Sequence, residues 1–152
     1  MHMKWNRKTA LYVLILLTLC FIWGNSLMPA SVSGTISGRL AQLLSGLFPI
    51  PDAPDGGASD GVLRKLAHGT EFCILGAELA WLRHADWKSR WEGLALWGAA
   101  VALLDETIQL FVAGRSGMIR DVWIDLGGYT VGTVLCLLLC ARLLRRDQPK
   151  DR

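Results

Sequence analysis

Four long apolar stretches recur along the chain, at residues 10–28, 62–83, 91–112 and 122–144, separated by polar connections. Each is close to the length of about 20 residues with which a helix crosses a hydrocarbon core of about 30 Å. The pattern predicts an all-α integral membrane protein, a four-transmembrane-helix bundle forming one domain over residues 1–152. The first and last stretches qualify without neighbours, whereas the second and third carry ionisable residues and need protein against at least one face. In the first loop, residues 29–61, the apolar Ile36, Leu40, Leu43, Leu44, Leu47 and Phe48 alternate with Ser37, Arg39, Gln42 and Ser45 at helical spacing. This predicts a short helix lying in the membrane interface over 36–49. The following "PIPDAPDGGASDG", residues 49–61, reads as a proline, glycine and aspartate linker without packing of its own.

The charges orient these segments. Lys4, Arg7 and Lys8 precede the first; Arg83, Lys88 and Arg90 lie at or just beyond the end of the second; Arg142, Arg145, Arg146, Lys150 and Arg152 end the chain. The 29–61 loop balances Arg39 against Asp52, Asp55 and Asp60, and the 113–121 connection is short. The positive-inside rule therefore puts both termini in the cytoplasm and these two loops outside. The alternative of a cleaved signal peptide over the first 30 residues fits the basic start, but the apolar run is long and Met28-Pro29-Ala30 is a poor cleavage site.

Composition agrees with a membrane protein: 52% hydrophobic, 19% charged and a mean hydropathy of +0.34 over 152 residues, against about a quarter charged in soluble domains. The net charge is only +3 and the cations sit near segment ends instead of along a stripe, which argues against nucleic acid as a partner. Cys20, Cys73, Cys136 and Cys140 lie within apolar segments, so no structural disulfide is expected. Cys136 and Cys140, one turn apart, read as small buried hydrophobes.

The residues that do not suit hydrocarbon fall in register. Arg64, His68, Glu71 and Glu78 share one helical face; Asp105 and Gln109 share another with Glu106 beside it; Asp121 and Asp125 align with Gly128 and Gly132, a G-x-x-x-G spacing that admits a close neighbour helix or a second copy of the chain. Arg115 stands in the turn between the third and fourth segments, with Arg120 nearby, and Asn25, Ser26 and Pro29 end the first. All but Glu78 belong to the outer ends, so they are expected to converge on a cavity open to the outside. An isolated charge near mid-bilayer costs several kcal/mol, so these groups must be paired, solvated or protonated. The plainest alternative is that Arg64, Lys65, Arg115 and Arg120 simply pair with Glu71, Asp105, Glu106, Asp121 and Asp125, which would specify the fold and nothing more.

Three strings, "GNSLMP", "LRKLAHGTEF" and "DETIQLFVAGRSGMIRDVWIDLGG", make the chain resemble the VanZ-like family of membrane proteins over most of its length. The resemblance implies a small, roughly four-helix protein of the bacterial plasma membrane, in a family named for a member linked to teicoplanin resistance. Its polar positions map onto Arg64, Lys65, His68, Glu71, Asp105, Glu106, Gln109, Gly114, Arg115, Asp121, Asp125 and Gly128. This chain departs from the family pattern at Ala113, where proline is common, at Gly69, where an aromatic often follows the histidine, and at Asp125, where asparagine is frequent.

Two functions suit this set. In the first, Arg64, Lys65, Arg115 and Arg120 hold the phosphate of an anionic lipid or lipid-linked cell-wall precursor, with Gln109, Asp125 and the remaining acids orienting them. In the second, Glu71, Asp105, Glu106, Asp121 and His68 supply acid/base chemistry, or bind a divalent cation, for a hydrolase or transferase acting on a lipid-linked phosphate or glycan. No H-e-x-x-H or G-x-S-x-G motif marks such an enzyme. Ser116 follows Arg115 and is better read as a turn residue than a nucleophile. A proton-linked transporter is a third possibility, with Glu78 extending the polar chain inward, but four helices without an internal repeat are few for alternating access. No cofactor is specified.

Overall fold

The computed structural model describes residues 7–45, 57–84 and 92–146, which form five α-helices in the order α1 (Arg7–Ser26), α2 (Ala30–Ser45), α3 (Gly57–His84), α4 (Glu92–Gln109) and α5 (Ile119–Arg146). Helices α1, α3, α4 and α5 correspond to the four apolar stretches, with shifted ends. α3 begins at Gly57, inside the segment expected to be a linker. No proline follows Pro54 in the sequence to interrupt it before His84. α4 stops at Gln109 and the chain turns through Leu110 to Gly114, short of the expected end at 112. α2 starts at Ala30, earlier than the expected 36, because the Pro29 carbonyl accepts the amides of Val32 and Ser33 and opens the helix at once. The expected residues 46–49 of that helix lie outside the described residues.

Among the described residues, two helices are long and apolar enough to cross a membrane by length and composition: Arg7–Ser26 and Ile119–Leu143. α3 and α4 carry more charge, including Arg64, Lys65, Glu71 and Glu78 on α3 and Asp105 and Glu106 on α4. Their charges point inward. The buried polar residues include His68, Glu71, Glu78, Asp105, Glu106, Gln109 and Asp125, while Leu14, Leu17, Phe21, Leu96, Trp97, Leu103, Trp123, Leu135, Leu138 and Leu139 are exposed. Only 11% of the α1 span is buried. An apolar outer surface of this extent around a polar interior is the reverse of a water-soluble bundle and suits hydrocarbon.

α3 packs chiefly against α5. A Cβ at Gly128 would run into the Gly69 backbone, one at Gly132 into the Cys73 backbone and one at Gly76 into the Tyr129 carbonyl. The G-x-x-x-G spacing therefore packs helices within one chain, and α3 answers it with its own small residues at 69, 73 and 76. Gly69, a departure from the family pattern, is where the two backbones meet. A core of Ile15, Ile22, Phe72, Leu75, Val101, Ala102, Val122 and Tyr129 fills the middle of the bundle. A second cluster of Ala80, Leu94, Cys136 and Cys140 lies beyond it, and all four cysteines are free.

Candidate functional site

The C-terminal ends of α1 and α4 meet the N-terminal halves of α3 and α5, so α1 and α4 run one way and α3 and α5 the other. Each helix brings its polar residues to the same end of the bundle. From α1, the Asn25 side chain donates to Glu71 Oε1 at 2.6 Å. From α4, Gln109 Nε2 donates to Asp105 Oδ2 at 2.9 Å and to Ser26 Oγ of α1 at 3.3 Å. His68 Nδ1 of α3 stands 3.7 Å from Glu71 Oε2 and 3.9 Å from Asp105 Oδ2. Lys65 Nζ pairs with Asp121 Oδ1 of α5 at 3.0 Å. Asp105, 0% exposed, and Asp125, 2% exposed, are the most deeply buried acids.

The turn between α4 and α5 is built to face this cluster. Gly114, at φ +73°, adopts the left-handed conformation that favours glycine and sends the chain back over the end of α1. Arg115 then donates from Nε to the Met28 carbonyl at 3.0 Å and from Nη2 to the Asn25 carbonyl at 2.8 Å. These are carbonyls at and just past the end of α1, where Asn25 also accepts the Met28 amide at 3.2 Å, and a cation there suits the helix dipole. Burial, and after it the neighbouring Arg64, lower Arg115 from its ordinary value, while Asp105, Glu106 and Glu71 oppose this. Glu106 Oε2 accepts the Met118 amide at 2.8 Å, capping the start of α5.

The expected convergence holds, but the expected open cavity does not. The gap among Arg64, Lys65, His68, Gln109, Asp121, Ile124 and Asp125 is about 10 Å³, room for about one water, because the glycine seam draws α3 and α5 so close. Arg115 does not reach across a cavity; two of its nitrogens serve α1. Arg120 is exposed at the rim and Ser116 is exposed in the turn. Simple mutual pairing also fails as a full account. Among the described residues only Lys65 and Asp121 pair directly in the expected way, and neither Arg64 nor Arg115 makes an ion pair with Asp105, Glu106 or Asp125. Instead, those three carboxyls each present an oxygen within 4.8 Å of the others.

Asn25 and Ser26 are the site residues that sequence reasoning underused. They stood out only as the end of the first helix, since nothing in their spacing identifies Glu71 and Gln109 as partners. Glu78, on the same face as Glu71, belongs to another place. It accepts from Thr18 of α1 at 2.9 Å and borders an apolar groove of about 510 Å³ lined by Leu11, Leu14, Ile74, Trp81 and Leu135.

No curated protein and no solved structure matches the chain. The family model described as VanZ/LLP1 matches residues 9–140, a stretch that contains every residue of the polar end. With its apolar outer surface and two helices able to span a bilayer, the chain is by this evidence a membrane protein that belongs to the VanZ/LLP1 family.

Proposed function

We propose that this protein crosses the bacterial plasma membrane four times, with both termini cytoplasmic, and that its outward polar end binds the phosphate-bearing headgroup of an anionic lipid or lipid-linked cell-envelope component. The four-span reading is supported by the inward-facing charges of α3 and α4, which keep both helices apolar toward lipid. The binding reading rests chiefly on one observation. Arg64 makes no ion pair among the described residues and lies near Arg115, whose Nη1 is buried without a hydrogen-bond partner. A buried donor without an acceptor is uncommon, and a phosphate oxygen would satisfy it while relieving the repulsion between the two guanidinium groups. Lys65 and Arg120 widen the cationic rim. Because the gap among these residues is small, the headgroup sits at the mouth, with its lipid chains along the apolar outer surface. Holding a lipid-linked wall precursor there is the route by which the protein would alter susceptibility to teicoplanin.

A membrane-embedded hydrolase or transferase acting on the same lipid phosphate is the second reading, favoured by the buried carboxyls of Asp105, Glu106 and Asp125 with His68 and Glu71 alongside. One experiment addresses both. The full chain, in phosphatidylcholine nanodiscs doped with phosphatidic acid or with a lipid-linked wall precursor, is analysed by mass spectrometry for what remains bound and whether its mass has changed. Retention that falls roughly tenfold in Arg64→Ala/Lys65→Ala, as expected for losing a charge-assisted bond of about 1.5–3 kcal/mol, supports binding. Equal retention by wild type and variant refutes it, and a changed mass that Asp105→Asn abolishes establishes the enzyme.

A further inference from the structure

The arginine end of the cluster accounts for anions; the carboxyl end asks for something else. Asp105, Glu106 and Asp125 come from two helices and are all buried, with oxygens within 4.8 Å of one another. Each is explained only in part by protein partners. Glu106 uses Oε2 for the Met118 amide, and Asp105 uses Oδ2 for Gln109, leaving Asp105 Oδ1 buried without a partner. Asp125, 2% exposed, forms no hydrogen bond or ion pair among the described residues, and its Oδ2 is buried and unpartnered. His68, 9% exposed, points Nδ1 toward Asp105 Oδ2 at 3.9 Å, too long for a hydrogen bond, and that nitrogen also lacks a partner.

We infer that Asp105, Glu106 and Asp125 form a binding site for one hard divalent cation of the magnesium and manganese class. Oxygen donors select such ions. Ligand oxygens at about 2.1 Å from the ion stand about 3 Å apart when adjacent and about 4.2 Å apart when opposite, so a set within 4.8 Å closes on the ion with shifts of at most about 0.7 Å each. The ion removes the mutual repulsion of three carboxylates that, among the described residues, no lysine or arginine pairs with, and it supplies Asp125 with the partner it lacks. His68 lies beside Asp105 and acts on the ion through that carboxylate or a bound water, the outer-shell role that fixes a ligand's orientation. The gap of about 10 Å³ that His68, Gln109 and Asp125 line has room for about one water, which would serve as one of the further ligands such an ion requires. The site stands whether or not the mouth takes a lipid phosphate; if it does, the ion would lie next to that phosphate.

The test is a Mn²⁺ titration of the full chain in phosphatidylcholine nanodiscs, without anionic lipid, followed by the electron paramagnetic resonance signal of free Mn²⁺. One saturable Mn²⁺ per chain is expected, competed by Mg²⁺, weakened at least tenfold in Asp125→Asn and Asp105→Asn, and unchanged in Glu78→Gln. Wild type alone decides if the variants fail to fold: bound Mn²⁺ should raise its unfolding temperature. Absence of saturable uptake by wild type overturns the inference, since shared protons would then hold the carboxyls together. Uptake that persists unchanged in folded Asp105→Asn and Asp125→Asn overturns it equally. Because no anionic lipid is present, either result leaves the headgroup proposal to its own assay.

Discussion

Gly127 and Gly128 are consecutive on α5 and differ only in where a side chain would point. A methyl group on Gly127 meets nothing within 4 Å, whereas one on Gly128 is driven into the Gly69 backbone, with the Gly69 carbonyl carbon at 2.9 Å and its Cα at 3.0 Å. Both substitutions to alanine gain the same helix propensity, about 1 kcal/mol, so that contribution cancels between them. What remains is the overpacking at Gly128, typically about 1–3 kcal/mol, and it cannot be avoided by a side-chain rotation because the obstacle is backbone. Gly127→Ala is therefore expected to be neutral or stabilising, and Gly128→Ala less stable than Gly127→Ala by about 1–3 kcal/mol. Unfolding in mild detergent, followed by the fluorescence of the seven tryptophans, measures the difference. The consequence extends to the site. His68 precedes Gly69 and Asp125 lies one turn before Gly128, so forcing α3 from α5 separates the two residues, and Gly128→Ala should also weaken Mn²⁺ uptake. Equal stability of the two variants would show that α3 and α5 do not meet at this seam, and the placement of Asp125 beside His68 would fall with it.

Arg115→Lys is expected to destabilise the protein by about 1.5–3 kcal/mol, because a lysine cannot reproduce the fork that reaches the Met28 and Asn25 carbonyls together; an unfolding midpoint equal to wild type would contradict the capping role. Tyr129→Phe removes the hydroxyl that donates to the Leu94 carbonyl at 2.8 Å and should cost about 0.5–1.5 kcal/mol in the same unfolding assay, while leaving lipid retention unchanged because Leu94 lies at the other end of α4.

Much of the architecture was legible because a bilayer leaves the chain few choices. Backbone groups in hydrocarbon must bond internally, so apolar runs of this length become helices, and their alternation with polar turns brings every second helix end to the same side. That argument alone gathered Arg64, His68 and Glu71 with Asp105, Asp121 and Asp125. Helix ends were less legible. Whether Gly57 to Gly61 are loop or helix depends on marginal local preferences, and Pro29 proved a better start for α2 than the apolar spacing from Ile36 suggested.

The sequence by itself determined which end of each long helix carries most of its polar residues, since helical periodicity and span length are local properties of the chain. Only the tertiary structure decided how they would meet. The gap at the polar end is closed because Gly69, Cys73 and Gly76 bring α3 against Gly128, Tyr129 and Gly132, a complementarity between two helices that neither helix encodes alone. Arg115 turns to the carbonyls of α1 because that helix end lies within its reach in three dimensions. Asp105, Glu106 and Asp125 face one another while Lys65 pairs with Asp121, and that division of charges follows from distances of a few ångströms that spacing along the chain does not contain.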